Sequence, residues 1–269
     1  MTNIATPMGP RRAPVYADHV DFRDEVTPPY SPAPKRWIWV GMIVVAIIAL
    51  AAVVVPRYLY PPVPEAHSVG QVIKEMTFES GSLTDTSSGA KKVNNGVRLE
   101  RGDLSLKGLY SARVSSGSAY LQEPLPATGD VFLSFYIQLM ELPTTSAVRL
   151  VHLTSGKETV GNLMLRDGRL RLRIDSKSVG ADSDPLAPGQ LYRIGVHQRA
   201  GGGSSSLLEA FLASGDAEFA APFAATVAGA WPEGADRVRI GMTTSVGVDA
   251  LIDDVRLNAD QMPGPSGAK

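Results

Sequence analysis

The sequence predicts an all-β protein, a two-sheet antiparallel sandwich preceded by one transmembrane helix and a disordered N-terminal tail. Three observations lead there. From about Val72 to Asn258 short runs alternate apolar and polar residues between Gly, Ser, Asp and Pro, the pattern of strands buried on one face. No helical periodicity of comparable length competes. Upstream, Trp37–Val55 is a run of 19 residues without a charge, which at ~1.5 Å rise per residue nearly crosses a hydrocarbon core of ~30 Å.

Residues 1–36 hold seven prolines and few apolar clusters. They bury too little surface to offset the entropy of ordering and are expected to form a disordered cytoplasmic tail. Lys35 and Arg36 abut the apolar run at 37–55, with Arg11, Arg12 and Arg23 behind them, whereas Arg57 is the one cation close to the other flank. The positive-inside rule then keeps the N-terminus cytoplasmic and places the C-terminal part outside, a single pass through the plasma membrane. Trp37, Trp39, Tyr58 and Tyr60 stand where aromatic rings prefer the headgroup layer. The long leader and the long apolar run favour an uncleaved anchor over a signal peptide cut near Ala49-Leu50-Ala51. Residues 56–72, with Pro61-Pro62-Val63-Pro64, suit a stiff spacer and are also of the type that SH3 domains bind.

Residues 73–258 carry the strands. Asp130–Leu139 is rich in aromatic and β-branched residues, which fit a pleated half-buried surface. Val148–Leu153, Val160–Arg166, Arg169–Ile174, Leu191–His197, Leu207–Leu212, Arg237–Gly241 and Ala250–Leu257 follow. The clearest hairpin is Leu163–Ile174, in which Asp167-Gly168 supplies the two positive φ values of a type I′ turn. That turn sets Arg166 opposite Arg169 and Leu165 opposite Leu170. Leu163, Leu165, Leu170, Leu172 and Ile174 then point inward, and Arg169, Arg171 and Arg173 outward. Residues 259–269 are expected to form a flexible C-terminal tail.

Composition excludes several functions. With no cysteine, disulfides, thiolate metal sites and cysteine nucleophiles are impossible. A net charge of −1 from 26 basic and 27 acidic residues gives no reason to expect a nucleic-acid partner. No Gly-x-Ser-x-Gly elbow or His-Glu-x-x-His segment occurs. His152 and His197 fall on predicted strands as half-buried strand histidines, and Gly201–Gly203 lacks the lysine of a phosphate loop.

The Phe132–Leu139 strand, the Asp167–Arg173 hairpin, Pro185–Ile194 and the closing Ile252-Asp253-Asp254-Val255 occur in an order similar to that of the concanavalin A-like superfamily, including laminin-G-like jelly rolls. Phe78-Glu79-Ser80-Gly81 and Gly108–Val114, with the same closing segment, also resemble jelly-roll carbohydrate-binding modules. The resemblance implies a jelly roll that binds carbohydrate or another surface polymer, and the missing catalytic motifs make binding without chemistry the expectation. It also implies a structural calcium held by one acidic residue on the first strand and one on the last, here Glu79 and Asp253. Alternation places Asp254 on the opposite face of its strand from Asp253.

A second candidate comes from the residues themselves: the stripe Arg166, Arg169, Arg171 and Arg173, joined by Arg149, Arg193, Arg237 and Arg239 on neighbouring strands. Guanidinium forks match carboxylate and sulfate groups bidentately. Such a face suits acidic glycans, and equally suits a solvated surface. The alternatives are a protein-interaction or scaffold module of the cell envelope and a glycoside hydrolase of the same fold. The latter needs two facing carboxylates, and no E-x-D-x-E strand is present.

Overall fold

The structure is a computed structural model that describes residues 70–126, 129–143, 146–174, 176–231 and 234–266. The apolar run at 37–55, the tail at 1–36 and most of the spacer lie outside the described residues. Among the described residues no helix is long and apolar enough to cross a membrane.

Strands are numbered in chain order. One sheet has eight, in the order β13 (Ala224–Ala225), β12 (Leu207–Ser214), β11 (Leu191–Ala200), β6 (Gly129–Leu139), β15 (Ala250–Asn258), β4 (Tyr110–Val114) and β3 (Val97–Arg101), with β1 (Val72–Met76) also on β15. The other has seven, in the order β10 (Lys177–Ser178), β9 (Arg169–Ile174), β8 (Glu158–Arg166), β7 (Val148–Ser155), β14 (Arg237–Gly241), β5 (Tyr120–Pro124) and β2 (Lys92–Val93). Every pairing is antiparallel.

The core lies between the inner faces. Val131, Leu133, Phe135, Ile137 and Leu139 of β6, with Ile194, Ala250, Ile252 and Leu257, meet Leu121, Val151, Leu163, Leu165, Leu170, Leu172 and Ile240 of the second sheet. Burial of such side chains is worth about 1.5–3 kcal/mol each and is what stabilises a sandwich with no disulfide. All eight sequence-predicted strands form, several of them one to three residues longer. The five-residue β1, β3, β4 and β5 are not among those eight, and the two-residue β2, β10 and β13 are too short to show a period of their own.

The Asp167-Gly168 turn has φ of 53° and 71°, and the pairs Arg166 with Arg169 and Leu165 with Leu170 are observed. Register is thereby fixed locally at one edge of the seven-stranded sheet. Leu163, Leu165, Leu170 and Leu172 are buried as expected, and Ile174 is half-buried.

Two boundaries differ from expectation. The spacer is expected to run to residue 72, yet Gln71 already donates its N–H to Asp260 Oδ1 at 2.8 Å and accepts from Ala259 N at 2.9 Å. The expected free tail from 259 does not hold as far as Ser266. Pro263 is buried and Ser266 N donates to the Tyr136 hydroxyl at 3.0 Å. Composition suggested flexibility, but the outward face of the eight-stranded sheet offers this segment polar partners.

Gly168 and Gly241 separate two reasons for needing glycine. A Cβ at Gly168 would make only ordinary contact, 3.4 Å from Leu142 Cδ1, whereas at Gly241 (φ 122°) it would lie 2.6 Å from the Ala119 carbonyl oxygen. Gly168→Ala should therefore cost about 1–2 kcal/mol from the left-handed backbone alone. Gly241→Ala should cost clearly more, and urea unfolding of the two variants compares them.

Candidate functional site

The last strand, β15, changes partner halfway. Ala250–Ile252 pair with β4, whereas Val255–Asn258 pair with β1. At the join the ladder to β6 carries an extra residue between Asp253 and Arg256, and Asp254 adopts φ 45°. A bulge of this kind re-aims side chains. It corrects the expectation from alternation: Asp253 and Asp254 both line one cavity of about 710 Å³, together with Glu75, Glu79, Lys107 and Arg256.

The structure thus brings Glu79 and Asp253 to one cavity, although Glu79 follows β1 instead of lying on it. Their oxygens are largely committed. Glu79 Oε1 accepts from Leu109 N at 2.9 Å and Tyr110 N at 3.3 Å. Asp253 Oδ2 accepts from Lys107 N at 2.8 Å and the Ser111 hydroxyl at 2.7 Å, and Oδ1 accepts from Asp254 N at 2.7 Å. The Asp253 carboxylate therefore ties the β3–β4 loop across the gap between β4 and β1. Asp254 is the acid with a spare buried oxygen: its Oδ1 accepts from Arg256 Nε at 3.0 Å while Oδ2 has no protein partner. Among the described residues no three His, Asp or Glu side chains are grouped to hold a metal ion.

The second candidate lies on the seven-stranded sheet. Lys92, Gln122, Arg239, His152, Asn162, Arg173 and Ser178 are successive cross-strand partners, one from each strand. The row beside it, Val93, Leu121, Ile240, Val151, Leu163 and Leu172, belongs to or packs against the core. The polar row therefore faces outward. His152 and Asn162 are nevertheless only 8% and 3% exposed. Five side-chain atoms on this sheet are buried with no protein partner: Arg149 Nε, His152 Nδ1, Thr154 Oγ1, Asn162 Oδ1 and Arg173 Nε. The partners that do exist are local. His152 Nε2 lies 2.8 Å from Thr159 Oγ1, Arg239 Nε donates to Gln122 Oε1 at 2.9 Å, and the Arg173 guanidinium donates to the Ser176 carbonyl.

The predicted arginine stripe divides here. Arg166, Arg171 and Arg173 line a small recess of about 130 Å³ with Met164 and Ser178, and Arg169 is absent from it. Arg169 donates to the Ser183 carbonyl at 2.7 Å. Arg171 is neutralised by both oxygens of Asp182, at 2.8 and 2.5 Å. The 179–186 segment therefore walls the sheet edge, with Val179, Ser183 and Leu186 donating N–H to Leu172, Leu170 and Gly168. Arg193, grouped with the stripe in the sequence, is instead on the eight-stranded sheet. It is fully buried under Phe219, with its guanidinium carbon 4.2 Å from the ring centre.

His197 lies on the outward face of that sheet too. It is held between Glu209 Oε2 at 2.8 Å and Asp130 Oδ1 at 2.7 Å, and stacks on Phe132 at 4.0 Å. It is a cross-strand brace, with both ring nitrogens occupied. The members of the polar row that sequence reasoning missed are Gln122, Asn162, Lys92 and Ser178. Alternation was visible for Asn162 on β8, but Lys92 and Ser178 lie on two-residue strands, and the register joining β5, β14 and β7 is non-local.

No family model matches the chain, and no curated protein matches it by sequence. Solved structures match by shape. The endo-β-1,4-glucuronan lyase of the fungus Trichoderma reesei aligns with a TM-score of 0.53 at 8% identity, over 74% of this chain and 100% of that one. The catalytic domain of a glycoside hydrolase family 131 protein from Coprinopsis cinerea gives 0.50 at 11% identity, over 74% and 98%. The binding domain of Paraclostridial Mosquitocidal Protein 1 gives 0.50 at 12% identity over 70% of this chain and 49% of that one, about half its length. At these identities the likeness establishes the two-sheet sandwich fold and nothing finer.

Two titrations follow with opposite signs. Burial pushes the Asp253 carboxyl up to about 7, against the three donors and with the repulsion of Asp254. The native state then holds a proton that the unfolded chain releases, so this group's stabilisation is complete below about pH 4 and is lost as pH rises to about 7. Asp253→Asn should flatten that part of the pH profile of urea stability. Burial, followed by Arg149 and Arg239, pushes His152 down to about 4. Its contribution is complete above its unfolded value of about 6.5 and is lost as pH falls through about 4. At about pH 5.5, where a free histidine is mostly protonated, the His152 ring should show neutral-imidazole proton shifts by NMR.

Proposed function

We propose that this protein is a membrane-anchored, extracytoplasmic binding module for carbohydrate or another surface polymer, with the outward face of the seven-stranded sheet as the binding face. The observation that carries the proposal is the polar row with its buried, unpartnered atoms. An unsatisfied buried donor or acceptor costs about 1–3 kcal/mol and is rare in a folded protein, and the same row carries the half-buried Gln122, Arg239 and Arg173 and the exposed Lys92 and Ser178, which a ligand can meet directly. Hydroxyls and ring substituents of a sugar polymer supply donors and acceptors at the density this row requires. The jelly-roll architecture shared with a glucuronan lyase and a family 131 glycoside hydrolase is in keeping with a carbohydrate ligand.

The module is proposed to bind without chemistry. Acid–base hydrolysis of a glycoside needs a carboxylate pair, and every member of the row on this face is a cation or a neutral polar residue. The basic flank at Lys35-Arg36 and the uncharged run at 37–55 support display outside the plasma membrane, N-terminus in. The full-length chain in detergent, applied to a panel of immobilised neutral and acidic polysaccharides, should be retained by at least one of them. Asn162→Ala with His152→Ala should lower that affinity about tenfold or more. Retention by no polysaccharide overturns the proposal.

A further inference from the structure

Although residues 73–258 carry 19 basic and 21 acidic side chains, charge is unevenly spread. Along the polar row the cations are Lys92, Arg239 and Arg173, and Arg149 stands beside the row on β7, opposite Met164. Among the described residues none of these four has a carboxylate within ion-pair distance. The ion pairs on this sheet go instead to Arg171 with Asp182 and to Arg166 with Asp167 at the turn. Arg149 is pressed by burial and by the neighbouring charge of Arg173, both of which disfavour its protonated form. Repelling cations left unpaired in a half-buried setting are the state of a site waiting for an anion.

The spacing indicates how such an anion lies. Strands in a sheet are about 4.8 Å apart, so the row from β2 to β10 extends roughly 29 Å, with a cation every one to three strands. Between them stand Gln122, His152, Asn162 and Ser178, neutral groups suited to hydroxyls. A single-stranded nucleic acid would call for exposed aromatic platforms. The row itself contains no Phe, Tyr or Trp, and the nearby Tyr120 is already covered by Arg239, 4.9 Å from its centre.

We infer that this face binds an acidic polysaccharide running across the strands, with acid groups of the chain on Arg149 and Arg173 beside Asn162, and a further one on Arg239. The inference rests on the binding function proposed above and names its ligand class and direction. The guanidinium pair supplies charge-assisted bonds to a carboxylate or sulfate, and the amide and imidazole between them fix the sugar ring.

The test is a titration of the full-length chain in detergent with polygalacturonate, dextran sulfate, neutral dextran and double-stranded DNA, at low and at moderate salt. Polygalacturonate, dextran sulfate or both should bind at least tenfold more tightly than neutral dextran and DNA, and should weaken as salt screens the contacts. Arg149→Gln with Arg173→Gln should lower that affinity at least tenfold at an unchanged melting temperature. Arg98→Gln, on the other sheet, should leave it unchanged. If the double variant melts early, Arg239→Gln alone is read in its place, with a severalfold loss expected. Neutral dextran bound as tightly as the acidic polymers overturns this inference and leaves the binding function standing, whereas failure of all the polysaccharides overturns both. Preference for DNA, or full affinity in the folded double variant, overturns the acidic-polysaccharide assignment.

Discussion

Cross-strand register is the constraint on which the rest of this protein depends. In the seven-stranded sheet one row is apolar from Val93 to Leu172 and the next is polar from Lys92 to Ser178. A slip of one residue in any strand would exchange the two, burying an arginine in the core and exposing a leucine. The apolar row holds the sheets together, and its cost is that the polar row must find partners elsewhere. On the arm with Arg171 the protein supplies one, Asp182. Among the described residues it leaves Arg149 Nε, His152 Nδ1, Asn162 Oδ1 and Arg173 Nε without one.

The eight-stranded sheet handles its outward polar groups differently. His197 has two carboxylates, Arg193 has Phe219 and the Ala217 carbonyl, and Tyr136 bonds both Asp216 and Ser266. Neighbouring strands supply the partners of His197, and the β12–β13 loop and the C-terminal segment supply those of Arg193 and Tyr136, so this part of the face is covered by the chain itself. An opening lies at the join in β15, where the bulge at Asp253 and Asp254 holds two buried acids around a gap between β4 and β1. That arrangement stabilises the β3–β4 loop at the expense of desolvating a carboxylate, which is why Asp253 titrates so far from the ordinary range. Asp253 and His152 oppose each other across the weakly acidic range, and the overall pH profile of the protein understates both.

Much of the architecture was legible because β structure writes itself into sequence with a period of two. Eight of the fifteen strands and the Asp167-Gly168 turn needed nothing beyond neighbouring residues. The candidate site was legible in part. The arginine stripe on β9 followed from the turn, and Glu79 and Asp253 do come to one cavity. Alternation failed at Asp254, because a bulge is set by two different partners meeting on one strand. The stripe also proved less uniformly charged than it reads, since Asp182 is eleven residues from Arg171 in the chain and folds back onto it.

Local periodicity and turn chemistry therefore determined the fold class, eight of the strands and which of their side chains point outward away from the bulge at Asp254, because those properties depend on residues one or two positions apart. Which outward side chains stand together was decided only in three dimensions. The row that joins Gln122, Arg239, His152 and Asn162 draws on four strands separated by as many as 117 residues. No local pattern records that proximity, because it is fixed by the packing of the two sheets around their common core.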